Sequence, residues 1–417
     1  MSGQEKEALL RELQKEYEAV KAQGLKLNMA RGKPSKAQTR LSEPLLTILS
    51  DMDACDDAGL DACNYGELMG MPCARAYFAD LLGVKPENVF VGGGASLQLM
   101  FDQLMRSYAF GGKDSPRPWC KEEKIKWLCP VPGYDRHFRI TERLGMELIS
   151  VPTNDEGPDM DVVEELVKDP AVKGIWCVPK YANPSGAIYS EKVIGRFVHL
   201  KPAAPDFTVM WDNAYCVHEF KGEYVPFPSI LKLAAEAGTE DMFFEFASTS
   251  KITFPGAGIS CMACSEANMA YAQKYFGAQI ISYDKLNQLR HVRFLKDKEN
   301  TIALMKQHAA ILGPKFEIVQ KILKEELAPL GIASWSEPVG GYFVSFFGMP
   351  GTAKRIVSLM KDAGVTLTGA GAAYPYGIDP DDRHIRIAPS FPPLDELEKA
   401  VQIFCLTVKI ASLEKLV

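Results

Sequence analysis

The sequence predicts an α/β protein built on a mostly parallel sheet, with a smaller α+β lobe towards its C-terminal end. Three observations predict it. Short apolar runs alternate with helix-period segments between residues 88 and 264, the pattern of strand–helix–strand units. Several of those runs stop at glycine-rich or polar turns, and ligands of open α/β sheets bind outside the carboxyl ends of strands. Past residue 330 the pattern changes to a glycine-led apolar run, two shorter runs and a long final helix.

The elements follow in order. Residues 4–23 read as an amphipathic helix with Leu9, Leu10, Leu13, Tyr17 and Val20 on one face, and Gly24 ends it. Leu27-Asn-Met-Ala-Arg31-Gly32-Lys33-Pro34-Ser35 reads as a short strand entering a turn. A helix is expected over 70–83, a buried strand at Asn88–Val91, then the turn Gly92-Gly-Gly94-Ala-Ser96 and a helix from Leu97 to Tyr108. Strands are expected at 124–129, 147–151, 173–178, 207–211, 242–247 and 259–264, which with Asn88–Val91 makes a seven-stranded sheet. Helices are expected at 135–144, 160–168, 190–199 and 228–237. From 265 to 330 the chain is largely helical. Strands at 340–347, 364–368 and 384–388 and a helix from Leu394 to about Leu413 complete it. The expected division is an N-terminal segment over 1–50 that joins the small domain, a large domain over 51–310 and a small domain over 311–417.

With 417 residues, 47% of them hydrophobic and 24% charged, the chain has ordinary globular composition and room for more than one domain. A net charge of −6 gives no electrostatic case for nucleic acid. No apolar run reaches the length of a membrane span, and the N-terminus reads as a charged helix rather than a signal peptide. A cytoplasmic protein is the expectation. Ten cysteines are scattered, several of them inside apolar runs. Cys261-Met-Ala-Cys264 is a single CxxC in a strand-like run without a second pair, so buried structural cysteines are expected rather than a zinc or redox site.

The chemistry-bearing residues follow strand ends. Gly92-Gly-Gly-Ala-Ser96 opens a helix, where backbone N–H groups favour an anion; a tight turn explains it equally well. Asn183 lies in the turn Lys180-Tyr-Ala-Asn-Pro-Ser-Gly186. Asp212-Asn-Ala-Tyr215 follows an apolar strand, so the carboxylate is either a helix cap or a desolvated group needing a positive partner. Ser248-Thr-Ser-Lys251 follows another. A lysine there either snorkels to water or presents a desolvated amine that attacks carbonyls. A phosphate turn, an amide, an aspartate, a tyrosine and a nucleophilic lysine are together what pyridoxal phosphate requires.

With these motifs in view, the chain resembles the class I aminotransferases, pyridoxal-phosphate enzymes of fold type I, from about Leu27 to the C-terminus. Tyr65-Gly66, Gly70, Arg75, Gly94-Ala-Ser96, Pro132-Gly-Tyr134, Asn183-Pro-Ser-Gly186, Asp212-Asn-Ala-Tyr215, Ser248-Thr-Ser-Lys251 and Arg386 carry the resemblance. Arg31-Gly-Lys-Pro-Ser35 and Gly256-Ala-Gly-Ile-Ser260 resemble a bacterial aspartate aminotransferase subgroup, itself similar to the effector domains of MocR-type regulators. The resemblance implies that Lys251 bonds the cofactor aldehyde, that Asp212 pairs with the pyridinium nitrogen, and that Asn183 and Tyr215 hydrogen-bond the phenolate oxygen. It further implies that Tyr134 stacks on the ring and that Ala95, Ser96 and Ser248 hold the phosphate. Tyr65 would reach the phosphate of a neighbouring copy in a homodimer with shared sites. Arg386 would grip the substrate α-carboxylate, and Gly32 and Asn183 would line the substrate.

Many relatives carry an arginine about eight residues after the lysine; here the segment is a residue shorter and a glycine stands there, leaving Ser250 and Thr253 as candidate replacements. A dicarboxylate substrate needs a second cation. Arg31, Lys33, Lys285 and Arg290 are candidates, Arg31 preferred because it flanks Gly32, with solvated surface charge as the plain alternative. His137, three residues after Tyr134, either faces the site or, the plainer expectation, lies on the helix surface. The expected reaction is transamination of aspartate with 2-oxoglutarate. A different amino-acid specificity (alanine or aromatic) or a lyase on the same scaffold is the alternative. A cofactor-binding regulator is disfavoured, since about 25 residues precede Leu27, too few for a DNA-binding domain.

Overall fold

A computed structural model describes residues 2–49 and 54–417. The expected boundary between residues 50 and 51 lies outside the described residues. In chain order the strands are β1 (Leu27–Asn28), β2 (Val89–Gly92), β3 (Lys126–Val131), β4 (Glu147–Asn154), β5 (Gly157–Pro158), β6 (Val172–Cys177) and β7 (Thr208–Asp212). They continue with β8 (Phe243–Ser248), β9 (Ser260–Cys264), β10 (Ser334–Trp335), β11 (Val344–Phe347), β12 (Val365–Thr366) and β13 (His384–Ile387).

One large sheet has the order β2-β9-β8-β7-β6-β3-β4-β5. It holds eight strands where seven were expected. The addition is β5, two residues paired antiparallel with Thr153–Asn154, too short for hydrophobic alternation to register. Strands β4, β3, β6, β7 and β8 pair parallel in turn, while β9 runs antiparallel to both β8 and β2. It follows that β2, β3, β4, β6, β7 and β8 all point the same way. The carboxyl ends of β2, β6, β7 and β8 therefore open on one edge, and the four chemistry-bearing turns leave from that edge.

Alternation along each strand builds two layers, because successive side chains point to opposite faces. Val91, Ile175, Val209, Trp211, Phe243 and Cys261 pack on the side of helices Pro72–Leu82, Glu191–Val198 and Ile230–Ala237. Phe90, Trp127, Trp176, Met210, Phe246 and Cys264 pack on the other side, with helices Ser96–Phe110, Asp135–Arg143 and Glu266–Gln279. Cys261 and Cys264 are three residues apart in one strand and so lie in opposite layers. They cannot share a metal or a disulfide, which is the physical reason the CxxC is structural.

A third apolar cluster joins the two ends of the chain. Tyr17, Leu27 and Met29 pack with Leu312, Phe316, Val344, Ile387 and Phe404. The Tyr17 hydroxyl donates to the Leu359 carbonyl at 2.8 Å, and β1 pairs parallel with β12. Helix Lys298–Glu326 spans 29 residues; its Met305 belongs to the sheet's cluster and its Leu312 to this third one.

Candidate active site

Four turns from the sheet edge, the start of helix Asp135–Arg143 and two further segments enclose one cavity. Ala95 and Ser96 come from the turn after β2, Asn183 from that after β6, and Asp212 and Tyr215 from the end of β7. Ser248, Ser250 and Lys251 follow β8, Tyr134 caps helix Asp135–Arg143, and Gly32 and Phe343 close the far wall. Residues as far apart as Ala95 and Lys251 meet because the parallel strands end together.

Asp212 is the electrostatic centre. It is buried, and its Oδ2 lies 2.9 Å from His137 Nε2. His137 stacks on Trp176 with ring centroids 4.3 Å apart. The surface position expected for His137 is therefore incorrect: it is fully buried, on the inward face shared with Phe138 and Thr141. Its spacing to Ile140, Thr141 and Leu144 is the helical signal that could have placed it. The other oxygen of Asp212, Oδ1, is buried with no hydrogen-bond partner. An unpaired buried carboxylate oxygen is costly, and a pyridinium N–H would satisfy it.

Lys251 Nζ sits 4.6 Å from the centre of the Tyr215 ring. Burial pushes its pKa below that of an ordinary lysine, against the opposing pull of the Asp212 carboxylate. As a residue Lys251 is half-buried, and it lines the cavity. Burial also pushes the Tyr215 hydroxyl well up, and pushes Tyr134 up to about 12, with help from the Asp212 and Asp135 charges.

The anion end is made of small groups. Helix Ser96–Phe110 begins at N-cap Ala95, whose side chain makes no cap bond; the Gln98 N–H bonds the Ala95 carbonyl at 3.1 Å, leaving the N–H groups of Ser96 and Leu97 to face a ligand. The Ser248 hydroxyl donates to Ser250 Oγ at 3.2 Å, and the Ser250 hydroxyl to the Gly94 carbonyl at 3.1 Å. Thr253 does not join them: it is buried, donates to the Thr249 carbonyl and lies 2.9 Å from His291 Nε2.

Arg386 comes from β13. Its NH1 lies 3.1 Å from Asp135 Oδ1 and 3.3 Å from Asn183 Oδ1, and its NH2 donates to Thr368 Oγ1 at 3.4 Å. Its guanidinium lies over Phe343, 4.9 Å from the ring centre. A Cβ on Gly32 would overlap that same ring, so the close approach there requires glycine.

The remaining candidates are spread out. Arg31 is exposed and is not part of the cavity wall, although its neighbour Gly32 is. Lys33 lies over Phe391 at 3.9 Å. Lys285 donates to the Asp61 and Tyr65 carbonyls at 2.8 and 3.3 Å, and Arg290 to Asn287 Oδ1 at 2.7 Å. Tyr65 is 80% exposed and is not part of the cavity wall.

A lysine, a buried aspartate, an amide, two tyrosines and two serines of one turn thus meet in a single cavity at the carboxyl edge of the sheet. A family model described as aspartate amino-transferase matches residues 1–417. The chain is 49% identical over 406 residues to a putative aminotransferase of Mycolicibacterium smegmatis, covering 97% of this chain and 95% of that one. It is 47% identical over 403 residues to an aspartate aminotransferase of Corynebacterium glutamicum, covering 97% and 93%. A solved aspartate transaminase from Corynebacterium glutamicum superposes with a TM-score of 0.98 at 45% identity, covering 100% of this chain and 98% of that one. The chain belongs to the aspartate aminotransferase family.

Proposed function

We propose that this aminotransferase uses pyridoxal 5'-phosphate to exchange the amino group of aspartate with 2-oxoglutarate, giving oxaloacetate and glutamate. The unpaired Asp212 Oδ1, facing the same cavity as the Lys251 amine, is the observation that carries the cofactor assignment. Asp212 would pair with the pyridinium nitrogen, Asn183 and Tyr215 with the phenolate oxygen, Tyr134 with the ring face, and Ala95, Ser96, Ser248 and Ser250 with the phosphate. Bound there, the cofactor supplies an aldehyde for the amino group and an electron sink for the α-carbon.

The chain's own residues then do the following. Arg386 holds the α-carboxylate with its planar fork. Gly32 lets the backbone close over the substrate. Lys251, whose pKa burial lowers against the opposing pull of Asp212, is the amine placed to act as base once the amino acid is bound. It would take the α-proton and return a proton to the carbon on the far side of the amino nitrogen, the cofactor's former aldehyde carbon. Tyr215, kept protonated by burial, remains a hydrogen-bond donor throughout.

Aspartate is favoured by the relative of that name, and Arg31, beside Gly32, is our choice for the second carboxylate. We further read the molecule as a cytoplasmic homodimer in which Tyr65 reaches the phosphate held by the partner copy. Its exposure leaves it available for that. No described helix is long and apolar enough to cross a membrane. The working division is 1–50 with 311–417 around the large domain 51–310.

Single-turnover mixing of the cofactor-loaded protein with aspartate, alanine, aromatic and branched amino acids tests the reading. Aspartate should convert the bound cofactor from its aldehyde to its amine form fastest. Slower conversion with aspartate than with alanine would overturn the specificity.

A further inference from the structure

The group on Arg386 is a carboxylate of the chain itself. Asp135 Oδ1 lies 3.1 Å from Arg386 NH1, and both side chains are largely buried, at 10% and 16% exposure for Arg386 and Asp135. The same NH1 faces Asn183 Oδ1 at 3.3 Å, and Asn183 lines the cavity. Any carboxylate that enters beside Asn183 therefore meets the NH1 corner that Asp135 holds. Arg386 is otherwise poorly satisfied. Its NH2 bond to Thr368 is long, at 3.4 Å, and its Nε is buried without a partner.

We propose that Asp135 is a placeholder for the substrate α-carboxylate, neutralising Arg386 in the empty site and yielding it when substrate binds. An unpaired buried guanidinium would be costly; Asp135 removes that cost between turnovers. It also has somewhere to go. Asp135 is the first residue of helix Asp135–Arg143, whose N-cap Tyr134 makes no side-chain cap bond. The open N–H groups and positive end of that helix stabilise a carboxylate released there. Asp135 is thus a positioning residue that sets substrate affinity. Binding exchanges one charged pair for another, so the placeholder weakens apparent affinity for every carboxylate substrate.

The inference rests on Arg386 as the α-carboxylate site, and the test separates the two. With cofactor-loaded protein, the dissociation constant of maleate, an unreactive dicarboxylate, is measured together with KM for aspartate and alanine. Asp135→Asn should tighten maleate binding and lower KM by about three- to tenfold. The factor should be the same for aspartate and alanine, because Arg386 grips the group they share; a merely structural role would not give a common factor. Asp135→Ser, also compatible with a helix N-terminus, should act in the same direction if Asn perturbs packing. Unchanged or weaker binding in both variants overturns the placeholder. Arg386→Gln serves as the reference: if it leaves maleate binding intact, the Arg386 reading fails. If it abolishes binding while the Asp135 variants bind no more tightly, the placeholder alone fails.

Discussion

Glu245 lies in the middle of the sheet, and its replacement by glutamine should make the protein more stable at neutral pH. The residue is buried on β8, opposite Trp211 and Ala263 in the neighbouring strands. Its Oε1 accepts from Asn213 Nδ2 at 2.9 Å, while its Oε2 and Asn213 Oδ1 are both buried acceptors without partners. A proton on Oε2 would supply a donor beside two buried acceptors that lack one. Burial, partly offset by the Asn213 bond, accordingly pushes the Glu245 carboxyl up to about 7 from 4.5. The Cys216 and Cys261 thiols, also pushed up by burial, stay protonated beside it.

The folded chain therefore keeps a proton that the unfolded chain releases between about pH 4.5 and 7. Across that window stability falls as pH rises, and above it the loss is complete. A shift of about 2.5 units at 1.36 kcal/mol each is roughly 3 kcal/mol. Glutamine is neutral at every pH and supplies the missing donor, so Glu245→Gln should abolish the loss. Urea unfolding of both proteins with cofactor bound, at pH 5, 6, 7 and 8, measures it. The variant's advantage should be small at pH 5 and grow to the full difference by pH 8. A pH-independent difference between the two proteins would refute the reasoning.

Three further outcomes follow from the geometry. His137→Phe keeps the stacking on Trp176 but strips Asp212 of its one partner, which should cost about 1–3 kcal/mol and weaken cofactor retention about tenfold or more; equilibrium dialysis measures this. Gly32→Ala should push the Phe343 ring away from Arg386 and raise KM for amino acids about tenfold, with cofactor affinity unaffected, read by steady-state kinetics beside a cofactor titration. Gly364→Ala places a Cβ onto the Leu25 carbonyl at a φ of +81° and should disturb the bond from Leu27 N–H to the Gly364 carbonyl that starts the β1–β12 pairing. A loss of about 2–4 kcal/mol in denaturant unfolding is expected.

Much was legible in the sequence because its signals are local. Hydrophobic alternation and glycine-bearing turns located the strands of the large sheet to within a few residues, and β5 escaped because two residues carry no period. Lys251, Asp212, Asn183 and Tyr215 each stand just past an apolar strand, and that position alone marks them. Ordering the turns into one pocket followed from the strands running parallel. The partners of those residues were another matter. His137 and Thr253 were both misjudged, because which face of a helix or turn is covered depends on elements far away in the chain. Trp176 and Asp212 cover His137, and His291 covers Thr253. The sequence by itself thus determined the class of sheet, the turns that carry the chemistry and the lysine at their centre. Only the tertiary structure decided that Asp212 keeps one oxygen unpaired, that Asp135 sits on Arg386 and that Glu245 faces Asn213. Those are contacts between residues 32 to 251 apart, and burial, not local pattern, gives them their energy.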